Sequence, residues 1–199
     1  GGTGKTSVVA SFASLADNAV LADCDVDAAD LHLVLEPRVE RRESFSGGYR
    51  AQIDATQCTA CGKCAAYCRF DAVHPLYGEN GGGICAYFVD PYACEGCGVC
   101  ARFCTYGAVA FGPAQSGEWC VSETRRGPMV HARLNVAAQN SGKLVAVVRR
   151  EARRVAQERK RDLILVDGPP GVGCPVIASI TGASHVLAVT EPTVSGAHD

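Results

Sequence analysis

Apolar positions recur along this chain at two spacings, and the pattern breaks where the chemistry changes. Val8, Val9, Phe12 and Leu15 fall at helical intervals, so an early helix with one face on a sheet is expected. Ala19-Val20-Leu21-Ala22 is a short continuous apolar run, the mark of a buried strand. Both signals return late. Ser141 suits the N-cap of a helix from Lys143 to Arg161, with Leu144, Val148, Ala152 and Val155 as its inner stripe. The other face holds Arg149, Arg150, Arg153, Arg154, Arg159 and Lys160, which reads as a solvated basic face or a dock for an acidic partner. Leu163-Ile164-Leu165-Val166 and Val186-Leu187-Ala188-Val189 predict two more buried strands, and 119–134 reads as strand, turn, strand. Buried strands alternating with amphipathic helices predict an α/β fold around a parallel sheet.

Between residues 51 and 112 the pattern stops and cysteines replace it. Cys58, Cys61, Cys64 and Cys68 are followed by Cys94, Cys97, Cys100 and Cys104, each 36 residues after its counterpart. Ile53-Asp54 answers Val89-Asp90, Gly62 answers Gly98, and Ala72-Val73 answers Ala108-Val109, so one unit is used twice. Three thiolates at three-residue intervals can curl around one iron–sulfur cube, while the fourth has moved into a helical turn and points away. Zinc sites usually pair two CxxC knuckles and have no use for a third cysteine at that interval. Disulfides suit small secreted domains.

The stretch resembles a bacterial-type ferredoxin with two 4Fe–4S clusters, in which the fourth cysteine of each run serves the other cluster. The resemblance implies one set of Cys58, Cys61, Cys64 and Cys104, and another of Cys94, Cys97, Cys100 and Cys68. The proline that often follows the fourth cysteine is Arg69 in one half and Thr105 in the other. Residues 36–50 read as a surface connection into this insert, and His74 to Phe88 as a flexible loop between its halves. Cys24, Cys85, Cys120 and Cys174 stand outside both sets.

The chain opens on Gly1-Gly2-Thr3-Gly4-Lys5-Thr6-Ser7, the second half of a phosphate-binding loop. Its backbone N–H groups and the following helix N-terminus suit phosphate oxygens. Lys5 is expected at the β- and γ-phosphates, and Thr6 on magnesium. The strand and glycine that complete the motif would precede Gly1, so the chain reads as a fragment. Asp23 and Asp25 follow the first buried strand, where ligands bind in α/β sheets. Asp27 and Asp30 read as acids at a helix start. Asp167 ends the strand 163–166 and is expected to hold magnesium through water.

Gly-Gly-Thr-Gly-Lys-Thr, Asp-Cys-Asp, Asp-Gly-Pro-Pro-Gly and Glu-Pro-Thr, in that order, resemble the deviant-Walker P-loop ATPases: MinD, ParA, Mrp-type carriers and the nitrogenase iron protein. The resemblance implies that Asp25 orients the attacking water, with Asp23 behind it, and that ATP closes a homodimer. It also implies a P-loop NTPase sheet lacking its first strand, in two parts (1–50 and 113–199) around an inserted α+β ferredoxin domain (51–112). Cys174, seven residues after Asp167, stands at an offset similar to that of a cluster cysteine in the nitrogenase iron protein.

Net charge of -2 supplies no global field for nucleic acid, and no apolar run is long enough to span a membrane. A nucleotide motif beside reduced thiols points to the cytoplasm. The expected cofactors are two 4Fe–4S clusters, ATP and Mg2+, and the expected partner is a redox or iron–sulfur acceptor protein. Three activities remain open: ATP-driven electron transfer, cluster carriage, and a MinD-like switch with structural clusters.

Overall fold

The apolar runs at 19–22 and 163–166 become neighbouring parallel strands. The computed structural model describes residues 3–79, 82–135 and 141–193. In chain order the elements are α1 (Lys5–Leu15), β1 (Ala19–Asp23), α2 (Leu31–Leu35), β2 (Arg38–Ile53), α3 (Lys63–Ala66), β3 (Val73–Tyr77) and β4 (Ile84–Val89). There follow α4 (Val99–Phe103), β5 (Val109–Thr124), β6 (Gly127–Leu134), α5 (Ser141–Glu158), β7 (Leu163–Asp167) and α6 (Cys174–Ile180). They form two compact units, residues 1–45 with 116–199, and residues 46–115. The chain passes from one unit to the other within β2 and within β5.

The larger sheet has the order β2-β5-β6-β1-β7. β1 pairs in parallel with β6 and β7 and is buried along its length, because both its faces are covered. Val20 and Ala22 look toward Leu144, Val145, Val148 and Ala152 of α5, while Leu21 looks toward α1, α2 and Met129. The sheet is mixed, not purely parallel as expected. β5 and β6 are antiparallel, since the two-residue link Arg125-Arg126 is too short for a parallel crossover.

Other expectations need correction. α1 turns Ala10 and Ala13 inward with Val9 beside them, so that small side chains let it lie close to Leu21 and Met129. Phe12 and Leu15 face outward, 48% and 80% exposed. Residues 38–50 are strand, not surface connection: Phe45, Gly47 and Ala51 are buried, although Tyr49 between them is 58% exposed, and charges occupy the open positions of an edge strand. The expected loop at 74–88 is mostly the hairpin of β3 and β4, in register from Val73↔Val89 to Leu76↔Ala86. No strand forms at 186–189, where Val186 and Leu187 are exposed. An apolar run becomes a strand only with a ladder partner, and among the described residues this one has none.

The face of α5 expected to be solvated is partly buried. Arg149 is 8% exposed and donates from Nη2 to the Thr181 carbonyl at 2.9 Å, capping α6 together with Arg153 at 3.2 Å. Glu151, also buried, collects Arg41, Arg150 and Arg154. Burial would raise its carboxyl, but the hydrogen bonds from Arg41 and Arg154 outweigh that and hold it below the usual range. Among the described residues no helix is long and apolar enough to cross a membrane.

Candidate functional site: two thiol-lined cavities and a pair of buried acids

In unit 46–115 each cysteine run begins on the same turn. Asp54 donates its N–H to the Ala108 carbonyl at 2.8 Å, and Asp90 donates to Ala72 at 2.7 Å. The N–H of Cys58 then returns to Asp54, and that of Cys94 to Asp90. Beyond this point left-handed residues alternate with ordinary ones: Ala60 (φ 56°) and Gly62 (75°) in one loop, Gly96 (65°) and Gly98 (73°) in the other. Such alternation turns successive N–H groups to one side and makes an anion-binding concavity. At Gly96 the glycine is obligatory, because a Cβ there would overlap the Tyr49 carbonyl oxygen.

The short helices α3 and α4 then carry the fourth cysteine of each run across. One cavity is lined by Cys58, Cys61, Cys64 and Cys104, and the other by Cys94, Cys97, Cys100 and Cys68. Most of the remaining lining is apolar or aromatic. Burial pushes the Cys64 and Cys100 thiols up, opposed by the N–H groups of Ala65 and Ala101. Tyr67 and Phe103 meet with ring centroids 4.7 Å apart. No three His, Cys, Asp or Glu side chains among the described residues stand close enough to grip a single metal ion. The four thiols of each quartet line one cavity. This donor set fits an iron–sulfur cube. Cys85 is exposed, with its thiol 3.3 Å from the Leu76 carbonyl, and lines neither cavity.

The second site lies in the other unit, at the C-terminal ends of β1 and β7. Asp23 and Asp167 are register partners there, both almost wholly buried. Asp23 Oδ1 accepts the Asp25 N–H at 3.2 Å, but Asp23 Oδ2 and both Asp167 oxygens have no hydrogen-bond partner. Burial, and then the Asp167 charge, push Asp23 up to about 7. Asp167 is raised by burial, while the nearby Thr6 hydroxyl and Lys5 ammonium pull it down. Thr6 is close enough for that influence, although no bond of normal geometry reaches either Asp167 oxygen. Asp25 is raised by burial and held back by the Ala28 N–H; it also feels Asp167 and Lys5. Three buried oxygens without donors, beside a hydroxyl and an ammonium, form a donor set that suits a divalent cation.

The loop before α1 has Gly4 in the left-handed region (φ 83°), with Lys5 opening the helix and its Nζ 3.3 Å from Thr3 Oγ1. Gly1 and Gly2 lie outside the described residues. Ser7 is exposed on α1. Lys5, Thr6, Asp25 and Asp167 therefore share one electrostatic neighbourhood. Sequence reasoning set Asp23 behind Asp25, yet Asp23 is the acid in direct register with Asp167. Cys24, next to it, is buried and its thiol is pushed up to about 12 by burial. Cys174 is exposed at the start of α6.

Residues 51–74 match the family described as 4Fe-4S binding domain, so the chain carries an iron–sulfur binding segment. The whole chain aligns over 204 residues, at 35% identity, with the Methanocaldococcus jannaschii protein named "Uncharacterized protein MJ0578". It spans 67% of that relative's length.

Proposed function

The chain belongs to the family of the Methanocaldococcus jannaschii protein MJ0578, and from that premise we propose that it is an ATP-binding iron–sulfur protein in which ATP hydrolysis is coupled to electron transfer through two 4Fe–4S clusters. The observation that carries this reading is the crossing of the two cysteine runs, so that each cavity is closed by four thiols. Such clusters, when bound, supply one-electron carriers whose potential is set by charge, hydrogen bonding and exposure. The chain's thiolates hold and insulate them, and the N–H groups of the 58–64 and 94–100 loops offset their negative charge.

At the other site Lys5 neutralises the β- and γ-phosphates of ATP. Thr6 and Asp167 hold Mg2+, and Asp25 takes a hydrogen bond from the attacking water and orients it. Thr3 to Ser7 form the described part of the phosphate cradle. Asp23 lies against Asp167 and sets how strongly that carboxylate demands a cation. ATP closes a homodimer, closure brings the clusters within electron-transfer reach of a redox partner protein or changes their potential, and hydrolysis resets it. Closed quartets favour resident clusters over carriage, since a carrier needs exposed and labile ligation.

The test is electron transfer from the reduced protein to an acceptor, with and without MgATP, in the wild type and in Lys5→Ala. ATP dependence lost in the variant is expected. A rate indifferent to both ATP and the variant rejects coupling. Cluster transfer to an apo-acceptor under chelator challenge would favour the Mrp-type carrier instead.

A further inference from the structure

The two thiol-lined cavities are copies. Every residue lining one has its counterpart 36 positions away in the lining of the other. Each cavity is therefore the natural control for its twin, and the positions that differ stand out. Thr59 and Lys63 of the first correspond to Glu95 and Val99 of the second. Tyr87 and Tyr106 of the first correspond to Ala51 and Phe70. The first lining thus includes a lysine and two tyrosines, and the second a glutamate and neither tyrosine; Lys63 and Glu95 are themselves exposed. The Tyr87 hydroxyl sits over the first loop, 3.2 Å from where a Cβ on Gly62 would stand.

Reduction adds one negative charge to whatever occupies a cavity. A cation and hydroxyl donors in the lining favour that added charge, and a carboxylate opposes it. Both charges belong to residues flanking a cluster cysteine in sequence, and because both are exposed their effect is screened over ~8 Å at physiological salt. Arg69 and Arg102 stand outside both linings; the Arg69 guanidinium lies 5.9 Å from the ring of Phe70, which lines the Glu95 cavity, and so acts there against the Glu95 charge.

We propose that these side chains give the two cavities unequal reduction potentials, with the Lys63 cavity holding an electron more tightly than the Glu95 cavity. The inference rests on the reading that each cavity holds a 4Fe–4S cluster. One electron, given up by a low-potential one-electron donor that is itself oxidised by one, then resides in the Lys63 cavity, and no proton need accompany it. The second electron enters the Glu95 cavity at lower potential. The asymmetry gives a two-cluster unit a direction, with electrons leaving from the Lys63 side.

The test is an EPR-monitored redox titration of the anaerobically prepared full chain, with iron counted in the same sample. The wild type is expected to show two midpoints at least tenfold apart in equilibrium constant, which is about 59 mV for one electron. Lys63→Val is expected to lower the higher midpoint, and Glu95→Thr to raise the lower one. The two together should bring the midpoints within that tenfold separation. Lys63→Gln and Glu95→Gln remove charge with little change of shape and should move the same midpoints in the same directions. Two clusters with midpoints that coincide in the wild type, or that do not respond to these variants, would overturn the inference and leave the proposed function standing. A protein without eight irons and without a cluster signal would overturn both.

Discussion

Unit 46–115 and the α/β unit hold themselves together by different means. The side chains in the interior of the α/β unit are large: Leu21, Leu31, Leu35, Met129 and Leu144 are all fully buried. Among the described residues of unit 46–115 the buried apolar ones are Ala51, Ala72, Val73, Ala86 and Ala108. At about 25 cal/mol per Å2 of apolar surface, four alanines and a valine contribute little against the entropy of ordering such a segment. Small units with so little buried apolar surface commonly need a staple, and on the proposed function clusters in the two cavities would supply it. The α/β unit carries its own difficulty in Asp23 and Asp167, buried acids of which three oxygens lack donors and which a cation would relieve. On the proposed function, one unit would use its inorganic group in order to fold, and the other would use one in order to work.

Stripping the iron, or making Cys64→Ser with Cys100→Ser, tests that contrast with the largest expected effect. Hydrogen exchange should show protection lost throughout 46–115 and kept in β1, β6, β7 and α5. Equal loss in both units would erase the distinction. Gly96→Ala is next, because its Cβ meets backbone that cannot give way. A cost of roughly 3 kcal/mol or more, read as lowered thermal stability of unit 46–115, is expected.

The α/β unit offers a pH test. Burial, with nearby His32 and Arg42 acting in the same sense, holds the His131 ring down to about 4, and its Nε2 lies 2.8 Å from Ser122 Oγ. The unfolded ring takes its proton near 6.5. Between about 6.5 and 4 the unfolded chain holds more protons, so this group's contribution falls as pH falls, by up to about 3 kcal/mol at ~1.4 kcal/mol per pH unit. Asp23 acts oppositely, since its raised folded value favours the folded state at the acid end. The comparison of wild type with His131→Gln isolates the histidine: the variant should lose less stability from pH 7 to pH 4.5, and an unchanged profile would remove the explanation.

Lys5→Ala should weaken MgATP binding at least tenfold, about 1.4 kcal/mol, and leave iron content unchanged. A parallel loss of iron would mean that the substitution had damaged the fold instead. The smallest effect belongs to Ala60, the counterpart of Gly96. With φ at 56°, its Cβ is strained, and Ala60→Gly should stabilise unit 46–115 by about 1 kcal/mol. The opposite signs at two matching positions would measure how far the repeat has diverged.

The sequence made some of this legible and hid the rest for definable reasons. The continuous runs 19–22 and 163–166 announce their strands because full burial leaves no polar position to confuse the period. The cysteine spacing announces the two quartets because only a few ligand geometries fit it. β2 was hidden: its charges lie outward on an edge strand, and the inward positions include Gly47 and Ala51, which carry little hydrophobic signal. The α1 face was misread for a related reason, as alanines pack closest while Phe12 and Leu15 only look like core. The run 186–189 shows the converse, an apolar segment without a strand beside it. The lining of the cavities was readable all along, since the 36-residue shift that pairs the cysteines also pairs Lys63 with Val99 and Glu95 with Thr59.

The proposed function requires that a nucleotide act on two four-thiol clusters. The most direct measurement is the EPR-monitored reduction of the anaerobic protein with and without MgATP, repeated in Lys5→Ala. Two 4Fe–4S signals whose midpoint or line shape changes with MgATP in the wild type, and does not change in the variant, are the expected result. Signals that stay the same at saturating MgATP, or a colourless protein carrying zinc, would contradict it.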